Sequence, residues 1–350
     1  MATPHRGKRT SGVEWGDLMG TAILVAGTVV LAAGSMVAAL LLLRARRDGK
    51  FAESPAFTVQ RWTLGTLYSL RPVRIADLPD LLWHSAVDIV RGGTRVPDPA
   101  CIKACPDSFG GVARDVSPAT VLAAAERGFF PWCHFGPLKW WTREQRMVLA
   151  TADFRMTKNL RRIMRKAPHR VTFDQAFDDV IRCCAGRRKN RLYGLTWITP
   201  TIMRLYSELH RQGHAHSFEV WNADGVLVGG GYGLSVGRVF FTESQFSHES
   251  NASKMGFATL MYHLARWGYV ANDGKDPTPT LEEAGFRLMP RRAFEAVLEE
   301  HGTASAPTRA WTVSAPLSEI AEWDASSAKT ETPPQKPAQP RRPPRIKSAA

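Results

Sequence analysis

The stretch Phe240–Lys254, FFTESQFSHESNASK, constrains the fold of this chain more than any other. Phe240 and Phe241 read as strand, because aromatic side chains suit a pleated, half-buried surface. Glu243 stands where that strand ends. Asn251 or Ser253 then offers a side-chain oxygen to the free N–H groups of a helix start, predicting a helix over Ser253–Trp267. An unpaired buried charge is expensive, so a carboxylate at such a strand edge is expected to face a cleft.

The same signals organise the neighbouring segments. Ser117 caps a helix with Pro118 at its first position, and Gly128 stops it. Thr199-Pro200 opens a second helix, which Gly213 ends. His216–Trp221 and Val226–Tyr232 flank Asn222–Gly225 as a hairpin, and Leu234–Gly237 turns the chain again into Val239–Glu243. A last helix is expected over Arg292–Glu300. Strands and helices mixed in this way predict an α+β domain with a mostly antiparallel sheet.

Charge and hydropathy divide the 350 residues further. Leu18–Leu43 holds 26 residues without a charge, enough to cross a bilayer where about 20 suffice, and long for a signal peptide. Three Lys/Arg precede it and four follow closely, which by the positive-inside rule leaves the rest of the chain in the cytoplasm. The expected organisation is a flank over 1–17, a transmembrane helix over 18–43, and a linker with a small N-terminal domain over 44–150. A catalytic domain over 151–323 and a disordered, basic, Pro-rich tail over 324–350 complete it. The expected location is the cytoplasmic face of the bacterial inner membrane, or the cytoplasm if that segment does not span.

The formal charge of +14 is uneven: from Arg155 to Arg191, twelve Lys/Arg face three Asp. Within it Lys158, Arg161, Arg162, Arg165 and Lys166 recur at helical spacing with Leu160, Ile163 and Met164 between them. This predicts an amphipathic helix with a cationic face, suited to phosphates and equally to plain solvation. Arg187–Arg191 reads as a basic loop. The five cysteines make an odd set without a regular framework, pointing to reduced thiols and no metal site.

Between Gly110 and Arg292 a series of segments runs in order: SPATVLAAAERGFFPW (Ser117–Trp132), KWW (Lys139–Trp141), HRVTFDQAFDDVI (His169–Ile181), TWIT (Thr196–Thr199), GHAHSFEVW (Gly213–Trp221), LVGGGYG (Leu227–Gly233), TESQFS…NASK and Pro290-Arg291-Arg292. In order and spacing this series resembles the leucyl/phenylalanyl-tRNA–protein transferases, which move an amino acid from tRNA to a protein N-terminus and so mark it for degradation. The resemblance implies an acetyltransferase-like (GNAT-type) domain behind a smaller N-terminal domain. It also implies aminoacyl-tRNA and a protein or peptide with a free N-terminus as partners, and a monomeric chain.

An aminoacyl ester is already activated, so no cofactor is expected. The protein must hold the tRNA 3′ end, keep the attacking amine unprotonated and stabilise charge on the carbonyl oxygen. The resemblance puts Trp132 and Trp197 on the platform for the terminal adenosine, where stacking reads no sequence; core tryptophans would look the same. It places the Lys158–Lys166 cluster on the acceptor stem and Gly231 and Gln245 in the amino-acid pocket, where relatives carry large apolar residues. Asp273, Lys275 and Glu243 are then the catalytic candidates, although surface ion pairs would use the same residues. Lys275 departs from the family's glutamine, since an ammonium only donates hydrogen bonds. Two alternatives stay open: an aminoacyl-tRNA-dependent transferase acting on another amine, of a peptide or a lipid, and a non-catalytic relative that binds tRNA or peptide.

Overall fold

Along Ala215–Trp221, Phe218 and Val220 alternate with Ser217 and Glu219, so the centre of this strand turns a ring and methyls to one face of the sheet and polar groups to the other. The protein, seen as a computed structural model, is described over residues 48–102, 108–133, 136–186, 195–304 and 311–326. Its strands there are β1 (Phe109–Val112), β2 (Phe130–Trp132), β3 (Lys139–Trp141), β4 (Gln145–Ala150), β5 (Arg170–Phe173), β6 (Ala215–Trp221), β7 (Leu227–Val236), β8 (Val239–Ser247), β9 (Ala271–Lys275) and β10 (Arg287–Pro290). The helices are α1 (Pro55–Ser69), α2 (Pro72–Ile75), α3 (Leu78–Val90), α4 (Pro118–Ala125), α5 (Lys158–Met164), α6 (Phe177–Ala185), α7 (Pro200–Arg211), α8 (Ala252–Arg266), α9 (Pro279–Glu283), α10 (Arg291–His301) and α11 (Leu317–Ile320).

The chain divides into two compact units, residues 1–63 and 64–350. The described part of the first holds a 3₁₀ turn at Gly49–Phe51 and the start of α1, where Arg61 pairs with Glu53 at 3.0 Å. The second holds a three-stranded sheet, order β1-β3-β2, and a seven-stranded sheet, order β10-β4-β9-β8-β7-β6-β5. Every neighbouring pair in the larger sheet is antiparallel except β8 and β9, which run parallel.

Helix α8 lies on β6 and β7 and is buried almost along its whole length. Its other side is covered by the segment after residue 311: Trp323 meets Tyr262 edge-on at 5.4 Å, and Ser314 bonds to the buried His263 ring. Phe218, Phe240, Met255, Met261 and Ile320 belong to this core. The α+β class and the mostly antiparallel sheet agree with the sequence reading.

The expected transmembrane helix is corrected. Among the described residues no helix is long and apolar enough to cross a membrane. The longest, α1 and α8, have 15 residues each. At 1.5 Å per residue that is about 22 Å, short of a hydrocarbon core of about 30 Å. Leu18–Leu43 lies outside the described residues, and the membrane as a partner through residues 18–43 is withdrawn with the span. Arg187–Arg191 and residues 327–350 of the tail also lie outside them.

Two local readings change as well. Asn251 stands at the start of α8 with φ +63° but its side chain does not cap, nor does that of Ser253. Instead the Ser247 hydroxyl, at the end of β8, accepts from the Ser253 N–H at 3.2 Å. The second hairpin turn is also tighter than expected, because Leu234, Ser235 and Val236 still pair with Phe241, Phe240 and Val239.

One buried carboxylate gives a pH signature. Glu219, fully buried on β6, accepts from the hydroxyls of Thr172 and Ser217 and more distantly from the Gln175 and Ala176 N–H groups. Burial outweighs these bonds and raises its pKa above the ordinary carboxyl value. The folded state therefore holds the proton more tightly than the unfolded chain. The stability this brings is full below the unfolded pKa and is lost as pH rises through the raised value. Urea midpoints measured from pH 4 upward should fall in this window relative to a Glu219→Gln variant, which has no such titration.

Candidate active site

The pairing of β8 with β9 runs as far as Phe241 opposite Asp273, and beyond it a cleft opens between the two strands. Thr242–Gln245 line one wall and Gly274–Asp276 the other. The volume is about 1070 Å³. Ionic groups at this opening set its chemistry.

Glu243 is placed by the strand register, with its carboxylate only 3% exposed. The Lys275 ammonium sits 3.0 Å from its Oε2 and also donates to the Thr242 carbonyl at 3.1 Å. Lys275 reaches this place because the β4–β9 register shifts between Met147 and Val148, leaving Gly274 as an extra residue. Lys275 itself has φ +64°, a left-handed conformation uncommon for a residue with a side chain. Tyr206 on α7, fully buried, also bonds to Glu243, and burial first, then the Glu243 charge, holds its phenol well above the ordinary range. A neutral phenol and an ammonium thus both donate to one carboxylate at the floor of the cleft.

Asp273 faces the other way. Both it and Arg146 are wholly buried, and the guanidinium grips the carboxylate with two bonds of 3.1 and 2.6 Å. Arg146 also donates to the Gly128 carbonyl at 2.9 Å and lies over the Phe294 ring at 4.8 Å. The remaining acceptor capacity of Asp273 holds the Lys275 backbone N–H at 3.1 Å. The Lys275 side chain therefore pairs with Glu243 and not with Asp273, which touches the cleft only through the backbone it fixes.

Trp132, at the end of β2, and Trp197, before α7, both line the cleft. The Trp132 ring meets Trp141 edge-on at 6.0 Å, and its carbonyl accepts from the Trp141 indole at 3.1 Å. Thr199, two residues after Trp197, caps α7 through its hydroxyl, which fixes the loop carrying that indole. Arg143 on the rim pairs with Asp276 at 2.6 Å.

Gln245 lines the cleft, whereas Gly231 lies behind it. The two residues face each other across β7 and β8, and a Cβ at 231 would meet Gln245 Cγ at 2.7 Å and the Phe218 ring at 2.8 Å. The space left by the missing side chain of Gly231 is thus taken up by Gln245 and Phe218. Gly231→Met should overpack this point and cost about 1–3 kcal/mol, read as a lower urea midpoint with an unchanged slope.

The basic cluster stands apart. Lys158, Arg161 and Arg162 are on α5, with Arg165 and Lys166 just after it; none lines the cleft. Arg161 donates to the Ala321 carbonyl at 2.6 Å and Arg165 pairs with Glu322, so two of the five hold the C-terminal segment. Lys158, Arg162 and Lys166 remain exposed.

Sequence reasoning passed over Arg146 and Tyr206. Arg146 stands directly before the apolar run 147–150 in the strand QRMVLA, and a charge beside such a run needs a buried partner. Tyr206 shares the spacing of Ile202 and Leu209 and carries no signal apart from core.

Comparison with known proteins fits this geometry to a family. The model described as "Leucyl/phenylalanyl-tRNA protein transferase" matches residues 148–299, and that of the family's N-terminal domain matches 114–144. The leucyl/phenylalanyl-tRNA–protein transferase of Azotobacter vinelandii is 44% identical over 56% of this chain and 86% of its own. The corresponding protein of Pseudomonas syringae pv. syringae is 45% identical over 53% and 81%, and that of Saccharophagus degradans 39% identical over 64% and 89%. Among solved structures, FemX aligns over 42% of this chain and 60% of its own at 12% identity and a TM-score of 0.34, too slight a likeness to argue from. With both family models matched in order and relatives this similar over four-fifths or more of their length, the chain belongs to the leucyl/phenylalanyl-tRNA–protein transferase family.

Proposed function

We propose that the cleft between β8 and β9 is where this aminoacyltransferase passes an amino acid from tRNA to the N-terminal amine of a protein. The observation that carries the reading is the convergence of Trp132, Trp197, Glu243, Gln245 and Lys275 on one cleft. These residues come from four separate segments of the chain, and the two indoles offer stacking surface beside an ionic floor.

In the reaction the acceptor's unprotonated α-amine attacks the ester carbonyl carbon. The new C–N bond forms and the C–O bond to the tRNA ribose breaks. The amine's surplus proton ends on the released ribose hydroxyl. Glu243 orients the incoming amine as a hydrogen-bond acceptor, while Lys275 offers N–H donors to the carbonyl oxygen as it gains charge. Asp273 is a positioning residue, which through Arg146 and the Lys275 backbone keeps that ammonium in the cleft. Aminoacyl-tRNA is a cytoplasmic species, and the cytoplasm is where the transfer takes place. In the same reading Lys158, Arg162 and Lys166 supply exposed charge to the tRNA backbone.

The test is a transfer assay with the full chain, a pool of labelled aminoacyl-tRNAs, and peptides beginning with Lys, Arg, Asp, Glu or Met. Label on a peptide α-amine identifies both the amino acid and the acceptor. Label that stays on tRNA with every peptide removes the reading. Trp132→Ala and Trp197→Ala should each weaken tRNA binding by about 1–3 kcal/mol, the usual worth of a stacked base. Because stacking on the 3′ end is made equally before and during reaction, the loss should appear in KM for tRNA with kcat little changed.

A further inference from the structure

The cleft has a lip that neither matched family segment contains. Leu64, Leu67 and Tyr68 of α1, with Arg71 just before α2, line it from a stretch well ahead of residues 114–144 and 148–299. On this lip the Arg71 guanidinium lies 4.9 Å from the centre of the Tyr68 ring and that of Arg74 lies 4.5 Å from the same ring. Arg74 also stands 6.0 Å from the Trp132 ring. Both arginines are exposed.

Their pairing sets them apart from the other arginines of the site. Arg143 is committed to Asp276 and Arg146 to Asp273. Among the described residues, Arg71 and Arg74 make ring contacts and no side-chain hydrogen bond or ion pair. A guanidinium stacked by its face on a ring keeps its edge N–H donors for a ligand, and those donors fit phosphate in a forked geometry. A strip of aromatic faces interleaved with uncommitted cations, leading into a cleft, is what a single-stranded nucleic acid needs: stacking for its bases and charge for its backbone. An acidic peptide would use the charge but has no need of the stacked rings.

We infer that Tyr68, Arg71 and Arg74 form an extension of the cleft, outside the two matched family segments, that grips the phosphates of the single-stranded 3′ end of tRNA on its way to Trp132. The inference rests on the transferase reading. It assigns to the segment before residue 114 a share in substrate binding, with the two arginines as phosphate ligands and Tyr68 as the surface that holds their planes.

The test measures Kd of the full-length protein for two probes across a salt series: uncharged tRNA with its 3′ end intact, and the same tRNA with its single-stranded 3′ nucleotides removed. The unaltered protein should prefer the intact probe. Arg71→Ala/Arg74→Ala should abolish that preference and flatten the log Kd–log salt slope for the intact probe by about 1.4, roughly 0.7 for each single-strand phosphate lost. Arg71→Lys/Arg74→Lys, which keeps the charges, should restore most of the slope. Thermal unfolding of the variants should match the unaltered protein, since both side chains are exposed. Equal binding by the alanine variant and the unaltered protein would overturn the inference, as would an equal loss for both probes. So would a change confined to KM for an acidic peptide acceptor. Failure of the unaltered protein to bind either tRNA would overturn the transferase reading and the lip with it.

Discussion

Asp273→Ala should destabilise the fold by about 3–5 kcal/mol, the usual cost of stranding one member of a buried ion pair. The reason is Arg146, which has no exposure to solvent and would keep its charge with only the Gly128 carbonyl left to accept from it. The Phe130 and Phe294 rings beside that guanidinium leave little room for a compensating anion. Urea unfolding would show the loss as a lower midpoint at constant slope. The paired change Arg146→Met/Asp273→Leu should recover most of it, because an apolar pair of similar volume needs no desolvation of charge. A small stability change in Asp273→Ala, together with collapse of transfer by the folded protein, would instead make Asp273 a group that meets the substrate.

Glu243→Gln should reduce kcat/KM for transfer by about 100-fold, the scale of misplacing an attacking group by about 1 Å. Its effect on folding should be smaller than that of Asp273, since the amide oxygen still accepts from Lys275 or Tyr206 and the cleft admits water. The loss should not be additive with Lys275→Gln. Once Glu243 is neutral, the ammonium has lost the charged partner that holds it in place, so removing the ammonium adds less than its full separate loss. Equal and additive losses would mean that the two groups act independently, despite the 3.0 Å contact between them.

The parts of the site that were legible in the sequence were those fixed by local chemistry. The Phe240–Lys254 block gave a strand and a helix start, and both stand in the structure, although Ser247 rather than Asn251 or Ser253 supplies the cap; Glu243, expected at the strand's end, sits in its middle, because β8 runs on to Ser247. Thr199-Pro200 and Ser117-Pro118 open helices as their chemistry requires. What stayed hidden depended on pairing between distant segments. Arg146 and Asp273 are 127 residues apart, and nothing local says which of two neighbouring acids a lysine will choose. The side chain of Lys275 took Glu243 because a register shift and a left-handed φ turn it into the cleft, a property of strand pairing that composition does not carry. The same holds for Gly231, whose missing side chain reads as spare room until the register sets Gln245 and Phe218 against it. The apolar run Leu18–Leu43 shows the opposite failing, since its length alone suggested a span that no described helix bears out.

The most direct measurement is single-turnover transfer by the full chain from labelled aminoacyl-tRNA to a peptide N-terminus, run beside the Glu243→Gln variant. Label should move to the peptide α-amine with the unaltered protein and remain on tRNA with the variant, while both bind tRNA equally. Transfer at the same rate by the two proteins would contradict the assignment of the cleft, and tRNA bound without transfer by either would contradict the chemistry proposed for it.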